Sequence, residues 1–315
     1  MKAEREIVQT SIFLQAALNG DRTHPAAPRT PAAIAEAARA AVDAGAHSVH
    51  VHAFDDSGRE TLKGDACARV LRAIRALCPE TPVSLTTSAT IVGDPGARLR
   101  LVEAWEELPN LCTLNQGEAG IAELCELLLS RGVSLEAGLL TTDDARAFVR
   151  SGLADRCRRV LIEPLELDPA VAIDNAARME EIVVAAGIAL EQVHHGYGVA
   201  CWAVNHRALV RGHGIRTGLE DVTVLPDGSS ARDNTDLVRA AAALIQAHTA
   251  TCPTVAAVQV CGVAHLHAEH QGRQATFTLD GKLLTGSIGS RTALSAAESR
   301  RSRAERFGGT TWTAS

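Results

Sequence analysis

Eight short apolar, β-branched runs alternate with eight stretches of helical character over about 240 residues, and this alternation restricts the fold more than any other feature of the chain. The first run, 12–18, closes on Asn19-Gly20, a turn signal. Thr30-Pro31 supplies an N-cap followed by proline at the first helical position, and the helix continues to Ala44 with Gly45 as its stop. The remaining strands are expected at 48–53, 82–87, 111–116, 134–140, 159–164, 192–196 and 215–220. The remaining helices are expected at 67–77, 95–108, 121–129, 143–152, 168–186, 200–211 and 233–250. Such repetition with short connections predicts a (β/α)8 TIM barrel over residues 1–253 rather than a doubly wound sheet. No G-x-G-x-x-G follows the first strand, which argues against a dinucleotide-binding unit.

Residues 254–315 break the rhythm. Strands are expected at 258–263 and 274–279, with Asp280-Gly281 as a turn and a basic helix at 293–306. This C-terminal extension reads as an appendage placed to pack on a neighbouring subunit, and a second His-x-His in it, His265 and His267, reads as surface or structural. Charge and aromatic content narrow the partners. Net charge is −6 and aromatics are 3%, so neither a basic nucleic-acid surface nor a stacking platform is expected. The chain has eight cysteines and no C-x-x-C pair, and several (Cys112, Cys125, Cys261) sit in apolar runs, as reduced core residues of a cytoplasmic protein do. The charged N-terminus lacks a signal-peptide core, and no apolar run approaches the roughly 18 residues of a membrane span.

In such a barrel chemistry gathers at the carboxyl ends of the strands. There the chain offers Asn19, Asp21 and Arg22; His50 and His52; Thr86, Thr87 and Ser88; Thr113 and Asn115; Glu136; Glu163; His194 and His195; and Arg216, Glu220 and Asp221. Each is costly to bury unpaired, so their concentration at one rim points to function. Strand alternation turns His50 and His52 to the same face, about 7 Å apart along the chain, close enough to share one metal ion. Strands 2 and 8 both flank strand 1 after closure, roughly 10 Å apart, so Glu220 can meet the two histidines. Two imidazoles and a carboxylate with an open position is the pattern of catalytic zinc. The other reading of Glu220 is an ion pair with Arg216. Asp221, if unligated and facing the cavity, is a candidate base, and Arg216 could tune that base or hold an anion.

Several stretches together resemble the β-keto acid cleavage enzyme family. They are Ala17-Leu18-Asn19-Gly20, Pro31 with its helix, Ala44-Gly45-Ala46 leading to His50-Val51-His52, Thr113-Leu114-Asn115, Arg216-Thr217-Gly218-Leu219-Glu220-Asp221, Asp227-Gly228 and Asn234. The resemblance covers roughly residues 10–250. It implies a zinc barrel that condenses a β-keto acid with acetyl-CoA and releases acetoacetate and a new acyl-CoA. By the same resemblance His50, His52 and Glu220 bind Zn2+, Asp221 removes a proton beside the ketone, and Arg216 supports that base. Thr86, Thr113 and Asn115 would hold the substrate carboxylate and carbonyl. Thr86 stands where the best-known member has serine. Arg22 stands where that member has an acidic residue, which implies a substrate-binding cation and a neutral or anionic tail. Phe54 replaces an arginine that often follows the His-x-His.

Two other readings compete. An amidohydrolase-like zinc hydrolase also uses His-x-His on a barrel strand, but on strand 1 and with further histidines on strands 5 and 6, where this chain has Glu136 and Glu163. An inactive metal-binding scaffold would not need Asp221, Arg216 and Thr113. Barrels of this kind commonly assemble, so a homo-oligomer acting on a small-molecule keto acid is the expected form.

Overall fold

A computed structural model describes residues 12–251 and three further strand segments. Eight parallel strands alternate with eight helices: β1 (Leu14–Ala17), α1 (Pro31–Asp43), β2 (Ser48–Val51), α2 (Gly64–Leu77), β3 (Val83–Thr86), α3 (Pro95–Glu103), β4 (Leu111–Asn115), α4 (Ile121–Ser130), β5 (Ser134–Leu139), α5 (Thr142–Ser151), β6 (Arg159–Ile162), α6 (Pro169–Ala185), β7 (Glu191–His194), α7 (Cys201–Val210), β8 (Gly214–Thr217) and α8 (Asn234–Thr251). The strands close in the order β1 to β8, with β1 pairing β8, so the fold is a (β/α)8 barrel. Side chains start the helices where the sequence places them. Thr30, Asp94 and Asp168 accept from the first-turn amides of proline-led helices, and Thr141 with Asp144 forms a capping box on α5.

The core lies between the strands and the helix ring. Outward-facing Val49, Val51, Leu85, Leu114, Val160 and Ile162 pack with Ile34, Ala38, Leu71, Leu124 and Phe148 from the helices. Register sets the interior. His50 lies beside Ser84, and Thr86, Thr113, Glu136 and Arg159 follow one another across four adjacent strands. The six described cysteines are free and buried. Among the described residues no helix is long and apolar enough to cross a membrane.

Several elements end earlier than expected, two of them by three residues or more. Helix α3 stops at Glu103 instead of reaching 108. Trp105 turns into the core there, its indole N–H on the Leu62 carbonyl at 2.8 Å, and Arg131 donates to the carbonyls of Val102 and Glu103. Strand β8 stops at Thr217, so Glu220 and Asp221 both lie in the loop beyond it. Gly218 causes this turn: a Cβ there would stand 1.9 Å from the Ala17 carbonyl oxygen, so only glycine lets the chain pass β1 so closely.

The chain divides into two compact units, 1–256 and 257–315. In the second, β9 (Glu269–Gln271), β10 (Gln274–Leu279) and β11 (Lys282–Ser287) form an antiparallel sheet in the order β11-β10-β9. The strand expected at 274–279 is β10. The strand at 258–263, the Asp280-Gly281 turn, the helix at 293–306, and Cys261, His265 and His267 lie outside the described residues.

Candidate active site

Three side chains converge at the carboxyl end of the barrel. His50 is the third residue of β2, and His52 lies one residue past that strand. Asn19 locks the His52 backbone, accepting from its N–H at 2.9 Å and donating to its carbonyl at 3.1 Å. Glu220 reaches over from the loop after β8. Its two oxygens lie 3.6 Å from His50 Nε2 and 3.6 Å from His52 Nε2. Gly20 leaves room for it, since a Cβ there would meet the Glu220 Cγ at 2.8 Å.

The far side of each imidazole is fixed by an acceptor. His52 Nδ1 lies 2.5 Å from Glu60 Oε1, and an ionised carboxylate can only accept, so the proton is on Nδ1. His50 Nδ1 contacts Ser84 Oγ at 3.2 Å and Thr113 Oγ1 at 3.3 Å. Both hydroxyls donate onward to Glu136 Oε2, Ser84 at 2.5 Å and Thr113 at 3.1 Å, so they accept from His50 Nδ1–H. Glu136 is fully buried and also accepts from Gln15 at 2.9 Å. Both rings therefore turn their Nε2 toward Glu220, the orientation a metal-binding histidine takes when a neighbour fixes its other nitrogen.

Charge at this point calls for a cation. Burial holds His50 well below its ordinary value, against the pull of Glu220, so it is neutral. Burial also opposes charge on His52, but Glu220 and Glu60 outweigh it and push the ring up to about 9. Burial raises the Glu220 carboxyl, yet Arg216 and the two histidines hold it well below the usual carboxylate range. Glu220 Oε2 is buried and has no hydrogen-bond partner. The three ligand atoms lie within 4.8 Å of one another, and two imidazole nitrogens with one carboxylate suit a divalent ion such as zinc.

Arg216 ties the loop to the barrel. Its Nε donates to Asp221 Oδ2 at 3.1 Å, and its Nη2 donates to Asp221 Oδ1 at 2.9 Å and to Glu220 Oε1 at 2.5 Å. The ion pair and the three-residue cluster thus coexist on Glu220: Oε1 accepts from Arg216 and faces His52, and Oε2 faces His50. An inner cavity of about 140 Å3 is lined by His50, His52, Thr86, Glu163, His195 and Asp221 among others. It opens beside an outer cavity of about 530 Å3 lined by Asp21, Glu60, Asn115, Glu118, Asp144 and Tyr197 among others.

The other expected residues fall unevenly. Thr86 and Asn115 line the inner cavity, and Asn115 also donates to Glu118 at 3.0 Å. Thr113 lines it too, but its hydroxyl is engaged with His50 and Glu136. Arg22 lines neither cavity. It donates to the carbonyl of Glu220 at 2.8 Å and to that of Asp221 at 3.4 Å, and its guanidinium lies 3.8 Å over the Tyr197 ring. The carbonyls of the loop after β8 need donors, and the Nε and Nη2 of Arg22 supply them. Phe54, in place of an arginine, carries the Arg29 guanidinium 4.9 Å above its ring.

The sequence marks Glu163 and His195 as rim residues without giving them a role, and it does not mark Ser84 or Glu60. Ser84 was within reach, since strand alternation places it on the face of Thr86. Glu60 sits in a loop and carried no such signal. A second His/Glu group, Glu180 with His194 and His213, is of another kind. Arg207 and Arg211 both pair with Glu180, which makes the group an ion cluster already neutralised by protein.

A sequence profile of the family described as BKACE, beta-keto acid cleavage enzyme, matches residues 11–260. A 3-keto-5-aminohexanoate cleavage enzyme of Fusobacterium nucleatum is 26% identical over 238 residues, 68% of this chain and 82% of that one. Among solved structures, the apo form of ObcA superposes with a TM-score of 0.58 at 20% identity, covering 73% of this chain and 63% of that one. Its ternary complex with a C4-CoA adduct and oxalate gives a TM-score of 0.59 at 19% identity, covering 73% of this chain and 65% of that one. The chain thus spans just under two thirds of the ObcA chains, and at these identities the likeness is one of fold.

Proposed function

Because the chain belongs to the beta-keto acid cleavage enzyme family, we propose that it carries out the zinc-dependent reaction of a β-keto acid with acetyl-CoA, giving acetoacetate and a new acyl-CoA. The observation that carries this reading is the convergence of His50 Nε2, His52 Nε2 and Glu220 on one point, with the far nitrogen of each ring fixed by Glu60 or by the Ser84–Thr113–Glu136 hydroxyl relay. A zinc ion held by these three residues would polarise the β-ketone oxygen and make the neighbouring carbon acidic.

The protein's own groups account for the rest. Asp221, with both oxygens gripped by Arg216, is aimed as the base that takes a proton from the carbon between ketone and carboxylate. Arg216, buried between two carboxylates, keeps its charge and fixes the direction of that base. The carbanion attacks the acetyl-CoA carbonyl and the thiolate leaves. The thiolate then returns to the original ketone carbon, the bond between that carbon and its neighbour breaks, the proton goes back from Asp221 to the released carbon, and acyl-CoA and acetoacetate separate. Thr86 and Asn115, which line the inner cavity, would hold the substrate carboxylate. Arg22 positions the ligand loop through its carbonyls. The hydrolase reading is disfavoured because His-x-His stands on β2, while β5 offers Glu136 and the residue following β6 is Glu163.

The test is mass spectrometry of acyl-CoA products from zinc-loaded protein, acetyl-CoA and a panel of neutral, acidic and amino β-keto acids. A new acyl-CoA that is lost in Asp221→Asn and His50→Ala supports the proposal. No new acyl-CoA from any substrate, with metal fully bound, overturns it in favour of a scaffold.

A further inference from the structure

The inner cavity holds a pair that the reaction as described does not use. His195 directly follows β7 and is 4% exposed, and Glu163 directly follows β6 and is 8% exposed. His195 Nε2 lies 3.0 Å from Glu163 Oε2. Glu163 Oε2 accepts from His195 Nε2, and this hydrogen bond favours the ionised carboxyl against its burial. In the neutral ring, the form that can take up a proton, Nδ1 is then a bare lone pair. It is buried, has no hydrogen-bond partner, and lies 3.5 Å from Asp221 Oδ1. A purely structural histidine satisfies both ring nitrogens, whereas this one directs an empty acceptor at the proposed base.

We propose that His195, oriented by Glu163, is a relay that receives the proton Asp221 draws from the substrate. This rests on the β-keto acid reading of the site. Asp221 Oδ1 takes the proton from the carbon beside the ketone and passes it to His195 Nδ1. Asp221 returns to a carboxylate on Arg216, and the imidazolium is balanced by Glu163. After carbon–carbon cleavage the same proton goes back through Asp221 to the carbanion of the leaving acetoacetate, so none is gained or lost overall. Glu163 is a positioning residue, since it acts through His195.

Two measurements test the relay. The first is a long-range 1H–15N spectrum of the histidine rings in the zinc-loaded protein, which does not depend on turnover. Nε2 protonated and Nδ1 bare at His195 is the expected result, and a proton on Nδ1 overturns the proposal. The second is kinetic. In His195→Ala, kcat is expected to fall about 100-fold or more, with KM and zinc content near wild type. Added imidazole should restore at least about a tenth of the loss, as expected for a missing proton carrier. Glu163→Gln should cost about tenfold in kcat. Unchanged kcat in His195→Ala, or a loss that imidazole does not restore, overturns the relay while leaving the reaction class intact. Wild-type protein that makes no acyl-CoA overturns the reaction class itself.

Discussion

Glu60 is expected to set metal affinity although it binds no metal. Its Oε1 lies 2.5 Å from His52 Nδ1, its side chain is 16% exposed, and it comes from the loop between β2 and α2. Removing the outer partner of a metal-binding histidine weakens binding by about 10–100-fold, or about 1.4–2.8 kcal/mol at roughly 1.4 kcal/mol per factor of ten. Glu60→Gln keeps the length and one acceptor oxygen but loses the charge, and charge-assisted hydrogen bonds are about twice as strong as neutral ones. This variant should therefore sit near the tenfold end and Glu60→Ala near the hundredfold end. The assay is competition for zinc against a chromophoric chelator, with circular dichroism confirming the fold. Carboxylates on both sides push His52 up to about 9, so a titration at about pH 9.5 reads affinity with the least competition from the proton. Wild-type affinity in both variants would refute the view that the second nitrogen of His52 must be held for the first to bind metal.

Gly218→Ala should disorder the ligand loop, because the added carbon would fall 1.9 Å from the Ala17 carbonyl oxygen; bound zinc measured by atomic emission should drop at least about tenfold. Arg22→Ala should weaken zinc binding and turnover alike for neutral, acidic and amino substrates, since its contacts are to the carbonyls of Glu220 and Asp221; a selective loss for one tail class in the acyl-CoA assay would instead make it a specificity residue. Glu180→Gln should destabilise the barrel by about 3 kcal/mol in a urea titration at pH 7, because it leaves Arg207, Arg211 and His213 without their common carboxylate. Burial raises the Glu180 carboxyl, but His213, Arg211 and Arg207 pull it well below its ordinary value. A depressed carboxylate stabilises above its unfolded value of about 4.5 and loses that contribution as acid protonates it, so the gap between wild type and variant should be constant above about pH 5 and shrink below about pH 4.

The barrel was legible because each βα unit shows a short apolar run followed by a helical stretch, and three of the eight helices also begin with a side-chain cap and proline. Thr30-Pro31, Asp94-Pro95 and Asp168-Pro169 all start helices where the pattern placed them. The candidate metal cluster was legible by the same arithmetic, since two-residue alternation must bring His50 and His52 together and closure must bring β8 beside β1. What strand periodicity could not reach was everything after a strand's last regular residue. Glu220 and Asp221 lie beyond Thr217, where no parity holds, and their positions depend on Gly218 passing Ala17, on Arg22 holding their carbonyls and on Arg216 gripping their carboxylates. The contacts of Arg22 were hidden for the same reason. Reading along the chain places a cation at the rim, but only the three-dimensional course of a loop 198 residues away shows that its Nε donates to the Glu220 carbonyl. Glu163 and His195 were legible as rim residues, but their pairing was not, and neither was Glu60 on His52: each contact joins two loops or two strand ends, and the local sequence of either partner carries no mark of it.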